Sequence, residues 1–290
     1  MLELFAPAKI NLTLDILEKR ADGYHEVETV MQTIALGDTI HITEAADIEV
    51  ECDHPAVPPG RANLAARAAE ALCERAGIRR GARIRIMKRI PVAAGLAGGS
   101  TDAAAVLRGL NMFWELALPE QCLFELAGQL GSDVAFCLLG GTALGQGRGE
   151  KLTLLPPLPR FGVIIVKMPF AVSTKAVYQQ FRLNPAVKPT TNKMLQALQT
   201  GNRGAVTAAM SNMLEQVTLL MHPEIVQVKE RLKRAGVQGV LMSGSGPTVF
   251  GLTETKEEAE RSARRLTGGF EVFVTETINY KRDGERESIY

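Results

Sequence analysis

The sequence predicts an α+β fold of two domains meeting at a cleft, and three observations carry that expectation. Toward the C-terminus the elements follow the order β-α-β-β-α-β, the ferredoxin-like succession, once three intervening helices are set aside as insertions. The stretch Pro156-Pro157-Leu158-Pro159 interrupts every period and is the best linker, dividing residues 1–156 from 157–290. The 290 residues, 46% hydrophobic and 22% charged, are enough for two medium domains with a sizeable core.

Each element has a local reason. Over residues 9–17, Ile10, Leu12, Leu14 and Ile16 alternate with Lys9, Asn11, Thr13 and Asp15, which predicts a half-buried strand with one polar face. Ala21-Asp22-Gly23 is a turn that delivers Tyr24 and His25. Strands are expected over 39–43, 48–52 and 83–87. Leu64, Ala68, Leu72 and Ala76 recur at helical spacing and stop at Gly77, a C-cap. A glycine-rich segment begins at Pro91, and a helix starts near Ser100, capped by Ser100 or Thr101, and runs to Trp114. A further helix spans 119–130 and ends at Gly131. The continuous apolar run 161–168 reads as a central strand. Helices follow over 174–181, 192–200, 203–214 and 223–235. The remaining elements are a strand at 239–242, a glycine turn at 243–246, a strand at 248–252, a helix at 256–266 and a strand at 271–277.

Lys and Arg total 33 against 32 Asp and Glu, so no global field recruits nucleic acid or an anionic membrane. The local cluster Arg79, Arg80, Arg83, Arg85, Lys88 and Arg89 reads as the solvated face and ends of the strand carrying Ile84 and Ile86. Cys52, Cys73, Cys122 and Cys137 are scattered, which disfavours zinc and iron–sulfur sites and suits a reducing compartment. The N-terminus lacks leader character, and no run reaches the length of a membrane span, so a soluble cytoplasmic protein is expected. Oligomeric state is not legible in the sequence.

The chemistry concentrates in Pro91, Val92, Ala93, Ala94, Gly95, Leu96, Ala97, Gly98, Gly99, Ser100 and Thr101. A helix start leaves unpaired N–H donors and about half a positive charge, and glycines let a ligand approach the backbone closely. No Gly-Lys-Ser/Thr follows, so this is not a Walker A loop, and the spacing is not that of a dinucleotide fingerprint. Taken alone, the segment also fits an ordinary strand-to-helix turn. Asp133 by itself fits a cap after Gly131, Lys9 a solvated strand lysine, His25 a loop residue and Tyr178 a core residue of its helix.

The segment from Pro91 to Thr101 resembles the phosphate motif of the GHMP kinase superfamily. Leu241-Met242-Ser243-Gly244-Ser245-Gly246-Pro247-Thr248 is similar to that superfamily's third motif. Pro7-Ala8-Lys9-Ile10-Asn11-Leu12 and Arg20-Ala21-Asp22-Gly23-Tyr24-His25 resemble the branch that phosphorylates a cytidylated methylerythritol in the non-mevalonate isoprenoid pathway. The three motifs lie in family order across essentially the whole chain.

The resemblance implies an N-terminal domain like the second domain of ribosomal protein S5 and a ferredoxin-like C-terminal domain. It implies ATP as phosphate donor with Mg²⁺, whose protein ligands are not identifiable. Asp133 would be the catalytic base and Lys9 its electrostatic partner, with the eleven residues 91–101 binding ATP. Tyr24, His25 and Tyr178 would grip the cytidine end, cytosine lying between the two tyrosines, and Asn11 would contact the substrate. Ala93, Ala94 and Ala97 stand where some relatives carry glycine. The alternatives are a GHMP kinase for homoserine, mevalonate or a sugar, a nucleotide-binding module without phosphotransfer, and an S5-like RNA-binding module.

Overall fold

The computed structural model describes residues 1–184 and 186–279; residues 280–290 of the expected second domain lie outside it. In chain order the elements are β1 (Leu2–Lys19), β2 (His25–Ala45), β3 (Ile48–Cys52), α1 (Leu64–Ala76), β4 (Gly81–Met87), α2 (Gly98–Phe113), α3 (Glu120–Leu130) and α4 (Ser132–Leu139). Then come β5 (Thr142–Gln146), β6 (Lys151–Leu154), β7 (Gly162–Lys167), α5 (Thr174–Gln180), α6 (Thr191–Thr200), α7 (Arg203–Ala209) and β8 (Ser211–Asn212). The chain continues through α8 (Glu215–Met221), α9 (Glu224–Arg234), β9 (Gly239–Met242), β10 (Val249–Thr253), α10 (Lys256–Ala263) and β11 (Glu271–Glu276).

The first sheet is built on the long antiparallel hairpin of β1 and β2. The free edge of β2 is shared: residues 39–45 pair with β4, and residues 29–32 pair with β5. β3 adds in parallel outside β4, and β6 pairs with β5. The sequence reading found only fragments of this hairpin. β2 carries buried Gln32, Thr33 and Asp38, which break the apolar alternation that marks a strand. The glycine-dense run around β5 likewise resembles a loop.

The polar face expected for β1 is not solvated. Lys9 is 4% exposed, and Asn11, Thr13 and Asp15 are buried with it. Their partners come from elsewhere in the chain: Asp15 accepts the N–H groups of Thr190 and Thr191 and the Thr191 hydroxyl at 2.7–2.8 Å, anchoring the start of α6. Helices α1 to α4 cover the opposite face, over a core that includes Leu4, Ile40, Ile84, Leu107 and Leu126.

The second sheet has the order β11-β7-β10-β9, all antiparallel. Numbered within the unit this is 4-1-3-2, the ferredoxin-like arrangement the element order predicted, with α9 and α10 as its two helices. Pro156–Pro159 joins the sheets but is pinned: Leu158 is 1% exposed, and its N–H donates to Thr142 Oγ1 at 3.1 Å. A shared core containing Ile10, Leu12, Ala94, Leu96, Ile165 and Phe250 binds the two sheets together.

One helix expected over 203–214 is interrupted. α7 stops at Ala209, and Ser211–Asn212 pair in parallel with Thr13–Leu14 as β8. Asn212 explains the break. Its Nδ2 donates to the carbonyls of Met242 (2.8 Å) and Gly244 (2.7 Å), and its Oδ1 accepts the Leu214 N–H at 2.9 Å. It therefore fixes the glycine turn after β9. Asn212→Ala leaves three buried partners unpaired and is expected to cost about 2–4 kcal/mol at roughly 1 kcal/mol or more for each. A urea unfolding midpoint indistinguishable from that of the unaltered chain would remove Asn212 from this role.

Candidate active site

The glycine-rich loop does not start its helix where the sequence suggested. α2 begins at Gly98 with Ala97 as N-cap, and no side chain caps it. Ser100 and Thr101 instead lie in the first turn. The first intrahelical bond runs from the Thr101 N–H to the Ala97 carbonyl, which leaves the N–H groups of Gly98, Gly99 and Ser100 outside the helical ladder. Three aligned donors at the positive end of a 16-residue helix make an anion cradle.

The loop is held in shape from both sides. Buried Ala94 and Leu96 anchor it in the shared core, and the Lys9 N–H donates to the Leu96 carbonyl at 3.2 Å. From the second sheet, Ser243 Oγ donates to the Gly95 carbonyl at 3.0 Å. Gly95 has φ +73°, and a Cβ there would stand 2.5 Å from the Ser243 carbonyl oxygen, so glycine is required. Ala93 and Ala97 also sit at positive φ, 54° and 59°. The backbone thus takes the conformation that glycine favours even where the residue is alanine.

Next to the loop, Lys9 Nζ donates to Asn11 Oδ1 at 2.8 Å and lies 3.4 Å from Asp133 Oδ1. Asn11 in turn donates to Thr29 Oγ1 at 2.8 Å, and Thr29 donates to the Thr13 carbonyl at 2.6 Å. Asp133 sits in the first turn of α4, a helix the sequence reading did not foresee. Its side chain is 44% exposed against 5% for Lys9, so the carboxylate faces open space while the ammonium is enclosed.

Lys9, Asn11, Tyr24, His25, Asp133 and Tyr178 all line one cavity of about 1180 Å³, together with Pro91 to Gly95 and Ala97 to Ser100. That exceeds the roughly 300–1,000 Å³ usual for one small-molecule site. Leu96 and Thr101 do not line it; they are buried anchors, 1% exposed each. The third motif arrives from the second sheet: Gly244 and Ser245 line the same space, and Ser245 Oγ is 2.8 Å from Thr174 Oγ1 on α5.

At the far end His25 packs against Tyr178, ring centroids 5.3 Å apart, and edge-on to Phe181 at 6.1 Å. Burial, with Lys19 nearby, lowers the His25 pKa below the usual imidazole value. The ring is neutral at neutral pH and offers one donor and one acceptor. Burial raises the Tyr178 hydroxyl pKa, helped by the charge of Asp133, so it stays protonated. Tyr24 is 56% exposed, with the Arg148 guanidinium 5.1 Å from its ring centroid. The sequence reading did not single out Arg148, which sits in the turn between β5 and β6.

It also missed a buried trio. Lys88, grouped above with a solvated basic face, has a side chain only 5% exposed and is bound to Asp38 and Asp102. Arg83 does belong to that face, pairing with Glu49 at 2.8 Å. One signal was available: Lys88 and Asp102 flank the glycine-rich segment on either side. Burial raises the Asp102 carboxyl pKa to about 8, against the pull of Lys88 and with the help of Asp38. One ammonium cannot neutralise two buried carboxylates, and Asp102 Oδ1 has no partner, so Asp102 takes the proton.

The N-terminal domain model of the GHMP kinases matches residues 63–141, and the C-terminal model of the same family matches residues 194–271. The chain is 50% identical over 279 residues to the 4-diphosphocytidyl-2-C-methyl-D-erythritol kinase of Pelotomaculum thermopropionicum, covering 94% of this chain and 97% of that one. A crystal structure of a 4-(cytidine 5'-diphospho)-2C-methyl-D-erythritol kinase superposes with a TM-score of 0.82 at 37% identity, covering 95% of this chain and 99% of that one. The homoserine kinase from Cytophaga hutchinsonii shares the fold, with a TM-score of 0.76 at 20% identity over 96% of this chain and 94% of its own.

A carboxyl whose pKa is raised on folding binds a proton that the unfolded chain has already lost. Its stabilisation is complete below about pH 4 and disappears as the pH rises through about 8. Urea midpoints should therefore fall with pH across this interval more steeply for the unaltered chain than for Asp102→Asn. Parallel profiles would contradict the assignment of the proton to Asp102.

Proposed function

The chain belongs to the 4-diphosphocytidyl-2-C-methyl-D-erythritol kinase family of the GHMP kinases, and on that premise we infer its reaction and the residues that perform it. It transfers the γ-phosphate of ATP to the 2-hydroxyl of 4-diphosphocytidyl-2-C-methyl-D-erythritol, in the non-mevalonate route to isoprenoid precursors. The observation that carries the residue roles is the Lys9–Asp133 pair, opening onto the same cavity as the phosphate cradle.

Phosphoryl transfer has a loose transition state, so the protein mainly aligns the reactants and stabilises charge. The free N–H groups of Gly98, Gly99 and Ser100 receive the ATP phosphates, with residues 91–101 shaping the cradle. Asp133 accepts the proton of the attacking 2-hydroxyl as the bond from phosphorus to the β,γ-bridging oxygen breaks. A positioned base of this kind contributes roughly 10²–10⁴ in rate. Lys9, fixed by Asn11, sets its charge beside the acceptor oxygen and the transferring phosphoryl group.

At the other end, Tyr24 and Tyr178 supply faces for stacking on cytosine, and neutral His25 hydrogen-bonds its edge. Asn11 adds a polar contact nearer the reacting hydroxyl. Among the described residues no three His, Cys, Asp or Glu side chains stand together as a metal cage. Mg²⁺ carried by the ATP phosphates would offset their charge. Among the described residues no helix is long and apolar enough to cross a membrane, and a cytoplasmic location fits the substrates. The same reading divides the chain into units 1–156 and 157–290.

Incubation with ATP, Mg²⁺ and the cytidylated methylerythritol should yield a new phosphomonoester resonance by phosphorus NMR. No product at saturating substrate would overturn the reading. Asp133→Asn should lower turnover at least about a hundredfold while an ATP analogue still binds by calorimetry. Near-normal turnover would remove Asp133 from its role.

A further inference from the structure

The buried trio beside the glycine-rich loop has no part in the chemistry above, yet it joins the loop's two ends. Asp38, in β2, is fully buried and accepts the N–H groups of Arg89 (2.6 Å) and Ile90 (2.8 Å), the two residues that precede Pro91. Lys88 Nζ donates to Asp38 Oδ2 and, at 2.9 Å, to Asp102 Oδ2 on α2. A single ammonium therefore ties the strand before the loop, the helix after it and the sheet beneath. It also passes directly under the cradle: a Cβ on Gly98 would stand 3.1 Å from Lys88 Nζ.

We propose that Asp38, Lys88 and Asp102 form a buried clamp that fixes the spacing between the two ends of the ATP phosphate loop, with Asp102 as a positioning residue for ATP. The clamp answers a need that the loop creates. Ala93 and Ala97 hold left-handed backbone conformations that are strained for alanine and relax unless the surroundings impose them. Ala94 and Leu96 hold the middle of the loop by apolar contact, but its ends need directional bonds. Hydrogen bonds among buried, partly charged groups supply them, because breaking one leaves a polar atom unsatisfied. None of the trio needs to touch the nucleotide. Asp102, whose buried Oδ1 has no partner, is among the residues that line the cavity.

The proposal rests on the reading of residues 91–101 as the ATP site, and the test separates the two. In steady-state kinetics of the full chain, Asp102→Ala should raise KM for ATP about tenfold while KM for the cytidylated acceptor stays within about twofold. Asp102→Asn, which still offers Lys88 an acceptor oxygen of the same reach, should recover most of that loss. A merely structural role would leave both KM values unchanged or shift them together. An unchanged or lower KM for ATP in Asp102→Ala, or no difference between the alanine and asparagine variants, overturns the clamp. Should Asp102→Ala not fold, Asp38→Asn carries the same ATP-selective expectation and the same overturning result. If the unaltered chain fails to bind an ATP analogue in calorimetry, the reading of the loop fails and the clamp falls with it.

Discussion

A buried lysine is the constraint around which the rest of the molecule is arranged. Enclosing an ammonium costs several kcal/mol unless it is paired and hydrogen-bonded. Lys9 meets that requirement in the middle of β1, through Asn11 on its own strand and Asp133 from α4. The requirement spreads outward. Asn11 needs Thr29 of β2, and Thr29 closes back on the Thr13 carbonyl of β1. The side chain that charges the site is thus also the one that registers the central hairpin against α4.

The same strand residue organises the phosphate loop. The Lys9 side chain points to Asp133, and its main-chain N–H holds the Leu96 carbonyl. The Asp133 carboxylate and the glycine-rich loop are therefore both referenced to one residue, which suits a reaction in which alignment supplies much of the rate. From the second sheet the Ser243–Gly246 turn presses on Gly95, and Asn212 of β8 holds that turn in place. Strain at Ala93 and Ala97 persists because these contacts over-determine the loop.

Electrostatics are graded along the cavity. At one end the Asp133 carboxylate, half open to solvent, lies beside the enclosed Lys9 ammonium. At the far end burial keeps His25 neutral and the Tyr178 hydroxyl protonated, beside the exposed Tyr24 ring and the Arg148 guanidinium.

The sequence by itself determined the ferredoxin-like order of the second sheet, the glycine loop before α2 and the polar stripe Lys9, Asn11, Thr13 and Asp15. These are local properties, set by period, turn chemistry and residue type. It also placed Lys9, the pair Tyr24 and His25, and Asp133 in separate segments of the chain. Only the tertiary structure decided that the stripe is buried, because burial depends on what α4, α6 and the Ser243–Gly246 turn bring against it. Only the tertiary structure separated Lys88 from the arginines beside it, since a cation's environment is set by the carboxylates that the fold delivers. The start of α2 at Gly98 and the break at Asn212 belong to the same class. In each, hydrogen bonds to distant segments outweigh a local propensity worth about 1 kcal/mol or less, and no window of sequence contains both partners.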